Sequence, residues 1–113
     1  MKRKETDAGY SQLYHSLINR ILHGAGHSSQ QERQAAFSNA DLPQPLHTLL
    51  NKVAYEAYKV TDSDIEAVKQ TGVNEDQLFE LIVCAAVGQA SRQYENGLAA
   101  LAAAVKQGGE HAS

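Results

Sequence analysis

Four side chains could carry chemistry: Glu80, His47, Tyr58 and the single cysteine, Cys84. Glu80 lies in the run Leu78-Phe79-Glu80-Leu81-Ile82-Val83-Cys84. On a helical wheel it falls among Val83, Cys84 and Val87. A carboxylate so placed must find a partner or shift its pKa upward. It therefore reads either as a structural partner, in an ion pair or a backbone cap, or as a raised-pKa acid in a pocket. Arg92 is about 18 Å along the same helix, too far to be that partner. Arg20, Arg33 or Lys69 would have to reach it through tertiary packing. Cys84 sits in Leu81-Ile82-Val83-Cys84-Ala85-Ala86-Val87 and reads as a small buried hydrophobe. No cation lies within a helical turn to activate it; the alternative is a thiol facing a pocket. His47, Asn51, Tyr55 and Tyr58 follow the edge of an apolar stripe. Such an edge either lines a cleft or marks the boundary between core and water.

Other chemistries find no support. Among the five histidines, only His23 and His27 have ligand-like helical spacing, and Gly24 and Gly26 interrupt it, so no metal site is expected. There is no phosphate loop, nucleophile elbow or dinucleotide fingerprint, and no cofactor is expected.

These residues must be positioned by one domain of 113 residues with a net charge of -3. An acidic balance argues against nucleic-acid binding. The basic cluster Lys2-Arg3-Lys4 reads as a solvated terminus. No apolar run approaches membrane-spanning length, and no apolar segment follows the basic start as in a secretory signal. One cysteine cannot form an internal disulfide, and a cytoplasmic location is expected.

The periodicity is helical throughout. Tyr10, Leu13, Tyr14, Leu17, Ile18, Ile21 and Leu22 form a stripe that Gly24 and Gly26 end. Ser29 and Glu32 form a capping box for a short, weakly apolar helix through Phe37. A loop over 39–45 leads to a helix carrying Leu46, Leu49, Leu50, Val53, Ala54 and Ala57, with Pro43 or Pro45 in its first turn. Thr61 caps a helix that ends at Gly72, and Asn74 caps the last one. That last helix runs from Glu75 to about Lys106, is apolar on nearly every side over 78–90, and is expected to be the buried centre. Gly88, Ala90 and Ser91 would let a neighbour approach closely, and Asn96-Gly97 is a point of bending or interruption. Residues 1–7 and 108–113 are expected to be flexible around an ordered core of 8–107.

The segment VTDSDIEAVKQTGVNEDQLFELIVCAAVGQASRQYENGLAAL (60–101) resembles the carboxymuconolactone decarboxylase family, which includes alkylhydroperoxidase D. The matching residues are Gly72, Glu75, Asp76, Leu78, Phe79, Glu80, Ala85 and Ala86. The resemblance implies an all-α bundle of about five helices with a long central C-terminal helix. The peroxidase branch carries Cys-x-x-Cys-x-x-x-His upstream of the glycine. Those places fall here on Ala57, Val60 and Asp64, and the branch's upstream glutamate falls near Pro45. Peroxide reduction by that route needs a low-pKa thiolate and a resolving thiol, so dithiol peroxidase activity is not expected. The decarboxylase branch lacks the cysteine pair too, but its histidine-bearing motif has no clear counterpart here.

The expected protein is thus a non-peroxidatic relative of this family. It would act as a homo-oligomeric assembly module or a binder of an unidentified small molecule. The alternative is an enzyme of the same fold, a lactone decarboxylase or a hydroperoxidase using Cys84. Glu80 and His47 converging on a pocket between the third and last helices would favour the enzyme.

Overall fold

The computed structural model describes the backbone of residues 2–112 and the side chains of residues 12–107. Five α-helices follow in order: α1 (Lys2–His23), α2 (Gln30–Ser38), α3 (Leu46–Tyr55), α4 (Asp62–Lys69) and α5 (Glu75–Ala112). A 3-10 turn, Ala57–Lys59, lies between α3 and α4. The described residues contain no strand, so the all-α reading holds. No helix among them is long and apolar enough to cross a membrane.

Three helix starts are built as the sequence predicts. Ser29 Oγ accepts from Glu32 N–H at 3.1 Å, and Glu32 Oε1 accepts from Ser29 N–H at 3.2 Å. Thr61 and Asp64 repeat this reciprocal pair at 3.2 and 2.9 Å. Asn74 and Gln77 do so at 2.9 and 3.1 Å. Each cap satisfies amides that the first helical turn leaves unpaired, typically worth ~1 kcal/mol. Gly72, at φ +101°, turns the chain between α4 and α5 in a conformation that side-chain-bearing residues rarely adopt.

Helices α2 and α3 pack across the first half of α5. Leu49, Leu50, Val68, Leu81 and Cys84 form the fully buried centre. The close approach expected at Gly88 is present: a Cβ there would fall 1.9 Å from the Phe37 carbonyl oxygen. Arg92 Nη1 donates to that same carbonyl at 2.6 Å, closing the end of α2 against α5. Although weakly apolar, α2 contributes Ala36 and Arg33 to the buried interior.

Several boundaries depart from the sequence reading. Helix α1 starts at Lys2, upstream of its apolar stripe, and α5 runs past Lys106 to Ala112. The side chains of the ends expected to be flexible, 1–7 and 108–113, lie outside the described residues. Helix α3 stops at Tyr55, before Ala57. Asp64 Oδ2 grips Lys52 Nζ at 2.8 Å and Thr61 N–H at 2.9 Å, which turns the chain into α4 before another helical turn can form. Helix α5 continues through Asn96-Gly97. Among the described residues nothing lies within 4 Å of the place a Gly97 Cβ would take, and the helix passes through without a break. Nor is α5 buried all round over 78–90. Leu78, Leu81, Cys84, Ala85 and Gly88 face inward, whereas Phe79 is 68% exposed and Ala86 is exposed. Beyond Arg92 every described residue is exposed.

The 38 residues of α5 extend about 57 Å. The molecule accordingly measures 61 × 29 × 22 Å with a radius of gyration of 17.9 Å. A compact chain of this length would have about 13 Å. The second half of α5 extends beyond α2 and α3; Tyr94 on it packs against Tyr14 of α1, with ring centres 5.1 Å apart.

Candidate functional site

Glu80 lies on the second turn of α5, facing the segment that joins α1 to α2. Its Oε1 and Oε2 both accept the backbone N–H of His27, at 2.9 and 2.6 Å. Gln77 Nε2 donates to the His27 carbonyl at 3.2 Å, so two α5 side chains clamp one peptide segment. Gly26 belongs to this contact, because a Cβ there would sit 2.0 Å from Glu80 Oε1. A side chain at this glycine, one of the two that end the α1 pattern, would push the Glu80 carboxylate aside.

None of the three cations expected to pair with Glu80 does so. Lys69 Nζ binds Glu75 at 2.9 Å, which raises the Lys69 pKa and lowers that of Glu75. Arg33, 5% exposed, turns its Nη1 to the carbonyls of Gly24 and Ile21, at 2.6 and 3.2 Å. There it places a cation at the negative end of α1. Neither Arg20 nor Arg33 has a carboxylate within ion-pairing distance among the described residues. Arg33 Nε is buried with no hydrogen-bond partner.

Between this linker and α5 lies a recess of about 180 Å³, lined by Arg20, Ile21, Arg33, Glu80, Val83 and Cys84 among others. Cys84, 1% exposed, is on its floor with Sγ 4.0 Å from the Ile21 carbonyl. Burial pushes the thiol pKa up; Arg33 opposes the shift and Glu80 adds to it. A protonated, occluded thiol is a poor nucleophile. The arrangement can hold a small molecule and offers it guanidinium donors, but it supplies no activated sulfur.

His47 and Tyr58 do not join this recess. The Nδ1 of His47 lies 3.3 Å from Gln44 Nε2, at the start of α3. Asn51 Oδ1 accepts from Asn39 Nδ2 at 3.1 Å, and Tyr55 is exposed. Tyr58 is on the 3-10 turn, not on α3, and is 82% exposed, with Lys59 Nζ 5.9 Å from its ring centre. The seam between α3 and α5 is filled by Leu49, Leu50, Leu81 and Ala85, so the expected convergence of Glu80 and His47 is absent.

A wider groove of about 530 Å³ runs between α2 and the loop before α3, bordered by Glu32, Asp41, Leu42 and Pro43 among others. Glu32 is held there by its capping box, and the one hydroxyl lining the groove, that of Ser38, accepts from Gln34 Nε2 at 3.1 Å with no histidine beside it. His23 and His27 are separated by the end of α1; His27 Nε2 lies 4.0 Å from Asp76. No group of three metal-ligating side chains occurs among the described residues.

The positions aligned with the peroxidase motif have structural duties. Ala57 is exposed on the 3-10 turn and Val60 is half-buried against the core. Asp64 caps α4 and pairs with Lys52; the Lys52 contact first, then the Thr61 amide, lowers its pKa. Sequence reasoning named Arg33 only as a candidate partner of Glu80 and Gly26 only as a helix end; it missed that Arg33 binds the α1 carbonyls and that Gly26 faces the Glu80 carboxylate, because folding alone brings these groups together. Comparison with models of known protein families, with curated proteins and with solved structures finds no match for this chain.

Proposed function

We propose that this protein is a non-peroxidatic relative of the carboxymuconolactone decarboxylase family, working as a self-associating small-molecule-binding protein rather than as a thiol enzyme. The ligand site is the recess between the α1–α2 linker and α5, and its ligand is a small organic anion. The carrying observation is that two guanidinium groups, Arg20 and Arg33, line this recess without an ion-pair partner among the described residues. The recess's carboxylate, Glu80, is already engaged by the His27 amide. A carboxylate ligand matches the planar donor geometry of arginine. The family reading is supported by the five-helix order, the turn at Gly72 and the acidic start of α5.

Chemical-shift titration of the full chain with benzoate tests this. Amides of 24–29 and those around Cys84 should shift and saturate at millimolar concentration, and Arg20→Gln should abolish the effect. Unmoved amides in the wild-type protein at that concentration would exclude the recess as an anion site.

A further inference from the structure

The recess beside the α1–α2 linker joins two kinds of lining. One is cationic. Arg33 is 5% exposed, and its Nη1 is taken by the carbonyls of Gly24 and Ile21. Its Nε is buried with no hydrogen-bond partner, a donor whose desolvation nothing in the chain offsets. Arg20 lines the same space. The other lining is apolar. Phe79 and Val83, one turn apart on α5, border the recess with Ile21 and Ala25. Cys84, 1% exposed, adds a small apolar surface to its floor.

We infer, building on the anion-binding reading of this recess, that its ligand is an aromatic monocarboxylate, its carboxylate held by Arg33 and Arg20 and its ring covered by Phe79. Phe79 is the largest apolar side chain bordering the recess and is 68% exposed. A ring laid against it in an offset or edge-on contact removes apolar surface of both from water.

Charge sets the number of carboxylates. The two guanidinium groups stay protonated in any folded protein, and Glu80 contributes one negative charge to the same lining. The balance is one positive charge, which a single carboxylate neutralises. Both Glu80 oxygens accept from His27 N–H. A second ligand carboxylate would therefore lie against Glu80 or against the apolar lining, giving up its water without a partner.

Volume sets the size. At about 180 Å³ the recess is smaller than the ~300–1,000 Å³ of sites for drug-sized ligands. One ring with its carboxylate matches that scale. A rigid ring also loses less conformational freedom on binding than a flexible chain of the same apolar area.

The test compares acetate, benzoate and isophthalate by amide-shift titration of the full chain. Benzoate should bind roughly tenfold or more tightly than acetate, because only its ring buries apolar surface. Isophthalate should bind no more tightly than benzoate. Phe79→Ala, an exposed change checked for folding by circular dichroism, should weaken benzoate about fivefold and leave acetate unchanged. Phe79→Tyr keeps the ring and should retain benzoate. Acetate binding as tightly as benzoate, or benzoate indifferent to Phe79→Ala, overturns the aromatic assignment while the anion site stands. Isophthalate binding more tightly than benzoate overturns the single charge. No shift with any of the three overturns both this inference and the anion site on which it rests.

Discussion

The Glu80 carboxylate binds the His27 amide across 53 positions of sequence, with both oxygens inside hydrogen-bonding distance. Together with the Gln77 bond to the His27 carbonyl, that contact fixes the α1–α2 linker to α5. A backbone N–H aimed at a carboxylate is the kind of charge-assisted hydrogen bond that holds a loop in one geometry.

Replacing Glu80 should therefore show a graded effect. Glu80→Gln keeps an acceptor and should be close to neutral. Glu80→Ala leaves the His27 amide without its partner and should cost ~1–3 kcal/mol. Urea unfolding monitored by circular dichroism measures both. Equal losses for the two variants would show that the side chain acts through its bulk instead.

Gly26 should be coupled to Glu80. Gly26→Ala drives a methyl into the carboxylate and should destabilise, whereas the same change in a Glu80→Ala background should cost less, because the clash is gone. Residues in contact give non-additive cycles of roughly 0.5–3 kcal/mol. Additive energies would break the proposed link.

At Gly88 there is no flexible neighbour to move aside. Gly88→Ala sets its Cβ against the Phe37 carbonyl, so α2 and α5 must separate. Overpacking of this kind typically costs 1–3 kcal/mol or more. A lowered thermal midpoint with loss of the Arg92–Phe37 hydrogen bond is expected, and an unchanged midpoint would contradict the close helix contact.

The Lys52–Asp64 pair predicts a pH dependence. Asp64 has a lowered pKa in the folded chain, so its stabilisation is present above the unfolded-state value, about 3.9. It is lost as pH falls through the lower folded-state value. The stability difference between wild type and Asp64→Asn should be flat near neutrality and shrink below about pH 4. A difference that instead grows on acidification would reverse the assigned sign.

Cys84 should be chemically quiet. With its thiol buried and its pKa raised, it should react slowly with disulfide reagents until the chain unfolds. The protein should not turn over hydroperoxides with a dithiol reductant. Steady turnover that disappears in Cys84→Ala would require a different account of this thiol.

Local pattern alone determined the helices and their caps. Ser29 with Glu32, Thr61 with Asp64, and Asn74 ahead of α5 are readable because a capping partner is only three residues away. The stripes of α3 and the first half of α5 are readable because one helical face must be apolar to be buried. The small contact at Gly88 was legible too, since a glycine within an apolar helix suggests close approach. Tertiary structure alone decided which partner each polar group takes. Glu80 binds an amide rather than a cation, and Arg33 turns to the end of α1, because burial rewards whichever complementary group lies nearest in space, and distance in sequence is no guide to that. It likewise decided that His47 and Tyr58 stand apart from the recess. A periodic pattern names the face of a helix that wants cover, but what covers it depends on how long the neighbouring helices are. Here α2 and α3 cover α5 only as far as Arg92.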